Sequence, residues 1–278
     1  MPENIKIIVA CHKADPAIRH DDIHMPVQVG KALHPETDLG FQTDDTGDNI
    51  SCKNGSYCEL TAMYWAWKNL HDVDYIGLAH YRRYLDINPA NIKQTLGNAK
   101  MLLPKPYHAR FNNYTNLALL LTHEEAIVAI DTLIKMYPDA KEAVLDYFYR
   151  SNRYSVFNMF ISDWDTFDEY CRFLFPYLEK LDELLQPHSY NRLKRNIGYI
   201  AEAIMGFWII YRKIPVKYVG TDDLSTSVYK DNLRTRLRNI QRDLGFRFLY
   251  LPNKARMTFY MAAELGLKSQ GINITHHQ

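Results

Sequence analysis

The sequence predicts an α/β fold, a mainly parallel sheet flanked by helices, with a helical basic extension at its end. Three observations carry that expectation. Short β-rich apolar runs alternate with stretches whose apolar residues recur at helical spacing. Hydrophobic residues make up 47% and charged residues 23% of the 278, so the chain can bury a core. After about residue 225 the character changes to helical, basic and aromatic, which divides the chain into 1–225 and 226–278.

Ile5–Ala10 (I-K-I-I-V-A) reads as a buried first strand, and the turn after it carries Cys11, His12 and Lys13. Ligands of open α/β sheets collect at the carboxyl ends of strands, which makes His12 a candidate nucleotide contact, or simply a surface histidine. Residues 34–55 are polar and read as a long loop. Ser56-Tyr57-Cys58-Glu59 has the spacing of a capping box, opening a helix that presents Leu60, Met63, Tyr64 and Trp67 on one face and ends near Asn69. Tyr75–Ala79 is a second buried strand, and Met101–Pro104 a third, stopped by proline. Thr122-His123-Glu124-Glu125 is another capping box, opening a helix to about Met136. Val156–Ile161 reads as a strand, Ser162–Asp165 caps the long helix after it, and Gly198–Trp208 is helical.

Several function classes are disfavoured. A net charge near +1 argues against nucleic acid as a partner. Cys11, Cys52, Cys58 and Cys171 show no zinc spacing, and scattered thiols without a leader suggest the cytoplasm. No apolar run reaches the roughly 18 residues of a membrane span. Asn273-Ile274-Thr275 is a chance sequon in such a compartment. Most of the 20 tyrosines are expected in packing, although such rings also stack on sugars and bases.

The strongest chemical signal is His80-Tyr81-Arg82-Arg83-Tyr84 directly after a strand. Adjacent arginines are costly to bury unpaired, and guanidinium forks suit phosphates. The alternative is one solvated arginine and one paired with a carboxylate. Asp72-Val73-Asp74 precedes its strand, at the wrong end for a metal–diphosphate site, and Asp163-Trp164-Asp165 is explained as a helix start. The loop Gly47–Asn54 precedes a helix and offers polar groups, Lys53 and Asn54 among them, to a nucleotide. Asn158 lies in an apolar run, so its amide needs partners, either structural or an acceptor sugar. Glu202 sits early in an apolar helix, where it serves as a dipole partner or as the general base of a transfer. Between Lys230 and Lys268 nine basic residues face three acidic ones, a local charge of +6, and Leu233, Leu237, Ile240 and Leu244 form an amphipathic stripe. The stripe either packs on the domain or lies on an anionic inner leaflet.

Taken together and in order, I-K-I-I-V-A-C-H-K (Ile5–Lys13), Gln28-Val29-Gly30, G-D-N-I-S-C-K-N (Gly47–Asn54), E-L-T-A-M-Y-W-A-W-K-N (Glu59–Asn69), Y-I-G-L-A-H-Y-R-R-Y (Tyr75–Tyr84), Asn158–Ile161, Phe167–Cys171 and Gly198–Glu202 resemble a bacterial family first catalogued as a domain of unknown function. Its members occur among capsule, exopolysaccharide and O-antigen glycosyltransferases. The resemblance covers roughly residues 5–225. It implies a GT-A-like, Rossmann-type nucleotide-binding sheet and inverting transfer of galactofuranose from UDP-galactofuranose to a lipid-linked saccharide acceptor. It places His80, Arg82, Arg83, Lys53, Asn54, Glu59, Tyr64 and Trp67 around the donor. The family pattern usually continues Glu-Arg-Leu at Glu202, whereas this chain reads Glu202-Ala203-Ile204, so the acceptor site need not be the same. A GT-A enzyme ordinarily carries Asp-x-Asp where His80–Tyr84 stand. Cations there favour a metal-independent reaction in which arginines neutralise the leaving diphosphate, although Asp44, Asp45, Asp48 and Asp86 remain carboxylates available to a divalent cation. The competing expectations are a nucleotide-sugar-binding module without turnover and a scaffold of a polysaccharide assembly complex.

Overall fold

A computed structural model of the chain describes residues 3–185, 188–189, 193–223 and 232–251. The tail residues Lys230, Lys254, Arg256, Phe259, Tyr260 and Lys268, and the sequon at 273–275, lie outside the described residues.

The chain begins with β1 (Ile5–Cys11), β2 (His24–Gln28) and β3 (Gln42–Thr43), then the helices α1 (Asn54–Tyr57) and α2 (Leu60–Asn69). Next come β4 (Tyr75–His80), β5 (Arg83–Asp86), α3 (Ile92–Leu96), β6 (Met101–Pro104) and β7 (Tyr107–His108). The helices α4 (Asn113–Leu120), α5 (His123–Met136) and α6 (Lys141–Val144) lead to β8 (Arg153–Tyr154) and β9 (Phe160–Asp163). Finally α7 (Trp164–Leu184), α8 (Asn196–Arg212), β10 (Val216–Asp223) and α9 (Leu233–Gly245) follow.

β1 is central, parallel to β2 on one side and to β4 on the other, with Ile7 opposite Gly77. β3 extends that parallel edge, and β6 pairs parallel with β10. The sheet is nevertheless mixed rather than mainly parallel. β9 runs antiparallel between β4 and β6, and β5 turns back from β4 at His80–Arg83 to pair antiparallel with β10. Gly77 makes the β4–β9 pairing possible, because a Cβ there would lie 2.8 Å from the Phe160 carbonyl oxygen.

Alternation along β1 decides the layering. Ile8 and Ala10 face a large core built with α2, α4, α5, α7 and α8, while Ile7, Val9 and Cys11 face a smaller one closed by Ile92 and Leu96 of α3. Thr122 and Glu125 form the expected capping box of α5, and Asp163 caps α7 through the Thr166 N–H. α9 is not a detached tail. Asp243 accepts from His108 Nδ1 at 2.8 Å, Arg242 donates to the His108 carbonyl, and Phe246 and Tyr250 just beyond the helix are buried in the large core.

Two elements depart from expectation. The helix expected from Ser56 onward is broken at Cys58, whose φ is +54°, so the Ser56–Glu59 capping box does not form. Ser56 Oγ donates to the Lys53 carbonyl instead, and Glu59 is freed to turn inward. The strand expected at Val156–Ile161 begins only at Phe160. Phe157 and Asn158 occupy a turn with φ of +72° and +51°. Apolar composition suggested continuous strand, but the buried Asn158 amide reaches a partner only when the chain reverses there.

Candidate active site

The carboxyl ends of β1, β2 and β4 open into a cavity of about 750 Å³. Its wall includes Ala10 and His12 after β1, Gln28 and Val29 after β2, and His80, Tyr81 and Arg83 after β4. Asn54, Gly55, Cys58 and Glu59 come from α1 and the break after it, Arg195 from the turn that leads into α8, and Tyr199 and Glu202 from α8. Gly30 shapes the β2 corner. Its φ is +69°, and a Cβ there would sit 2.7 Å from Asn54 Oδ1. Gly198 lets α8 approach the broken helix, since a Cβ would lie 3.1 Å from Cys58 Sγ.

Two acidic side chains stand in this wall among cations. Glu59 is buried and accepts from Asn158 Nδ2 at 2.7 Å, and the same amide donates to the Gly198 carbonyl. Glu202 is half-buried. Burial first, and then the negative charge of Glu59, push its carboxyl up to about 8, while the Phe157 N–H, Arg195 and Arg83 hold it back from rising further. The Phe157 peptide is therefore gripped at both ends. Its N–H serves Glu202, and its carbonyl accepts from His80 Nε2 at 2.6 Å. Its ring lies under the Arg83 guanidinium, 4.3 Å from the centroid. The field over the β1 and β4 ends is positive. Desolvation, together with Lys13, Arg195, Arg82 and His80, holds His12 below its ordinary pKa. Arg195 Nε lies 3.1 Å from Cys58 Sγ, and burial raises that thiol to about 11, so it stays neutral near pH 7.

Of the residues singled out in the sequence, His12, Asn54, Glu59, His80, Arg83 and Glu202 come together here. Asn158 lies one layer beneath, under Glu59. Arg82 turns away from the cavity and forms a charge-assisted pair with Asp15. Lys53 pairs with Asp182 at 2.8 Å. Trp67 stacks on Phe175 and donates to Asp168, and Tyr64 meets the same phenylalanine edge-on, so both serve the α2–α7 contact rather than the cavity wall. Both Asp-x-Asp strings are engaged structurally: Asp74 accepts from the Asn4 N–H, and Asp163 caps α7. Asp44 is buried and accepts from the Gly30 and Lys31 N–H groups and from Ser51 Oγ, fixing the loop after β2. Among the described residues no group of three or more His, Cys, Asp or Glu side chains is arranged to hold a metal ion, and no helix is long and apolar enough to cross a membrane.

Sequence reasoning missed Arg195, Tyr199 and Phe157. The first two had a signal. Arg195, Tyr199 and Glu202 are spaced four and three apart, one face of a helix, so a polar face opposite an apolar one was readable around Glu202. Phe157 had none, because its role lies in its backbone.

A family model described as a domain of unknown function, DUF4422, matches residues 6–213. The chain belongs to this family. The matched span of this DUF4422 chain runs from β1 to just past α8 and so contains most of the cavity wall. Among solved structures, the apo structure of the bifunctional glycosyltransferase WbbM is similar, with a TM-score of 0.73 and 30% identity, over 83% of this chain and 47% of that one. The chain thus spans about half the length of that protein. No curated protein matches.

Proposed function

We propose that the chain is a glycosyltransferase that takes a nucleotide sugar into the 750 Å³ cavity and passes the sugar to a saccharide acceptor in one inverting displacement. The observation that carries this reading is Glu202, a carboxyl poised at about 8 in the same cavity wall as the guanidinium groups of Arg83 and Arg195. A base is most effective when its pKa lies near the working pH, and a departing diphosphate needs positive charge where it leaves. The acceptor oxygen attacks the anomeric carbon, the bond from that carbon to the diphosphate oxygen breaks, and the diphosphate leaves with the electron pair. Glu202 takes the acceptor's hydroxyl proton. Arg83 and Arg195 neutralise the leaving group, which makes a metal dispensable in this reading. Similarity to a glycosyltransferase structure over most of this chain supports the reaction class.

The resemblance carried by the sequence motifs implies UDP-galactofuranose as donor and a lipid-linked surface-polysaccharide acceptor, and the basic amphipathic C-terminal segment favours a position on the inner face of the cytoplasmic membrane. α9 suits that position. Leu233, Leu237, Ile240 and Leu244 are all more than half exposed along one face, with Arg234 and Arg236 between them, an arrangement complementary to an anionic lipid surface. The deciding test is a panel of UDP-sugars assayed for thermal stabilisation and for UDP release with lipid-linked acceptors. Stabilisation by UDP with acceptor-dependent release supports the reading, and stabilisation without release under any acceptor leaves only a binding module.

A further inference from the structure

A second cavity of about 590 Å³ lies on the far side of Phe157, roofed by α9. The two cavities share Phe157 as a wall. Phe157 and Glu202 both line the first cavity, so the second cavity meets the first at a residue beside the carboxylate. Two-substrate transfer needs such an approach, because the acceptor hydroxyl must meet the base while the donor already occupies the first cavity. From this geometry, and resting on the transferase reading above, we infer that the cavity under α9 is the acceptor subsite and that it takes a saccharide bearing an anionic group.

The lining fits that class. Asp86 and Thr221 from the β5–β10 pair and Thr235 and Asn239 from α9 offer hydroxyl, amide and carboxylate partners, the set that recognises a polyol. Arg238 adds a cation at the same wall, suited to an anionic group on the saccharide. Gly220 lies opposite Asp86 in the β5–β10 register, and a Cβ there would stand 3.2 Å from Asp86 Oδ2, so its absence keeps room around the carboxylate. The roof is fixed in place by the Asp243–His108 contact and the buried Phe246 and Tyr250. α9 therefore has two working faces, an inner one toward the cavity and an outer apolar one.

The test is binding by the full chain of three soluble probes: a neutral oligosaccharide, a uronate-containing oligosaccharide, and a short-chain lipid diphosphate saccharide. UDP is titrated in parallel. Thr235→Trp fills the cavity from its roof, and Arg238→Gln removes one cation without adding bulk. The expected result is tighter binding of the two anionic probes than of the neutral one, weakened about ten-fold or more in Thr235→Trp, with UDP affinity unchanged. Arg238→Gln, which adds no bulk, should reduce the anionic preference while keeping neutral binding. Which anionic probe binds more tightly identifies the acidic sugar or the diphosphate as the recognised group. Unchanged saccharide binding in Thr235→Trp, or competition between saccharide and UDP for one site, overturns the inference. If UDP fails to bind the wild-type chain while Thr235→Trp still loses the saccharide, the transferase reading falls and the saccharide site stands.

Discussion

Replacing Glu202 by glutamine tests the proposed base through stability as well as rate. In the folded chain the carboxyl titrates at about 8, against 4.5 for an ordinary glutamate, because burial and Glu59 disfavour its charge. The folded state therefore binds a proton that the unfolded state has released, so Glu202 costs stability as pH rises above 4.5, and the cost levels off above 8. With these two values the cost is about 1 kcal/mol at pH 5 and about 4 kcal/mol at pH 8, an upper figure for a half-buried side chain that keeps some water. Glutamine keeps the shape and never ionises. Glu202→Gln should gain stability relative to wild type on going from pH 5 to pH 8, by up to about 3 kcal/mol, or roughly 6 °C in Tm at about 2 °C per kcal/mol. The assay is thermal unfolding of both proteins at the two pH values at constant ionic strength. In the same variant, sugar transfer should fall about 10²–10⁴-fold while UDP still binds, and wild-type kcat should rise with pH toward about 8. A Tm difference that is the same at both pH values would show that folding does not force a proton onto Glu202. Near-normal turnover in the glutamine variant would move the base elsewhere.

Four further expectations follow from the same geometry. Arg83→Ala should weaken UDP binding about 10–100-fold, as loss of a charge-assisted pair implies, with Arg83→Lys between the two; Arg82→Ala should do less, because Arg82 is engaged by Asp15, and equal effects by calorimetry would contradict that division. Asn158→Ala should lower stability by about 1–3 kcal/mol in denaturant unfolding, since it leaves the buried Glu59 without its amide donor; an unchanged midpoint would mean water replaces the amide. Chelation by EDTA should leave much of the transfer activity, and complete loss restored by manganese or magnesium would require a metal in the diphosphate site. The chain should sediment with vesicles containing anionic lipid in a salt-sensitive manner and lose this in Leu237→Glu/Ile240→Glu; wild-type protein that stays in the supernatant at low salt leaves α9 without a membrane role.

Much of the fold was legible because its signals are periodic. β1, β4 and β6 are short, largely apolar runs, and α5 and α7 carry caps at their starts, so the three strands and α5 were found within a residue or two of their ends and α7 at its start. What escaped was the direction of β9 and the existence of β5. A buried strand has the same composition whether its neighbours run parallel or antiparallel, and only contacts distant in sequence, such as Gly77 beside Ile161, decide between them. The candidate site was half legible for a related reason. His80 and Arg83 announce themselves as polar groups at the end of a buried strand. Tyr64, Trp67 and Lys53 lie in equally distinctive strings but meet α7, because a motif records which residues occur together and not which face of a helix they occupy.

The remaining part of the site is made where regular structure is interrupted. Gly30, Cys58, Phe157 and Asn158 all have positive φ, and three of them are not glycine. Such conformations cost about 1–3 kcal/mol each in a β-carbon-bearing residue, so they persist only where surrounding contacts hold them. Here the holding contacts can be named. The Cys58 break is pressed against Gly198 of α8 and carries the Arg195 contact, and it turns Glu59 inward. The Phe157–Asn158 turn is held by His80, Glu59 and the Gly198 carbonyl, and it aims one N–H at Glu202. Each break thus delivers one acidic residue or its partner to the cavity, and the two breaks are joined through the Asn158–Glu59 hydrogen bond. A straight helix through Cys58 or a straight strand through Phe157 would be cheaper locally and would disperse the carboxylate pair. Burial, and then the charge of Glu59, lift Glu202 toward neutrality, so the backbone distortion and the raised carboxyl are one device.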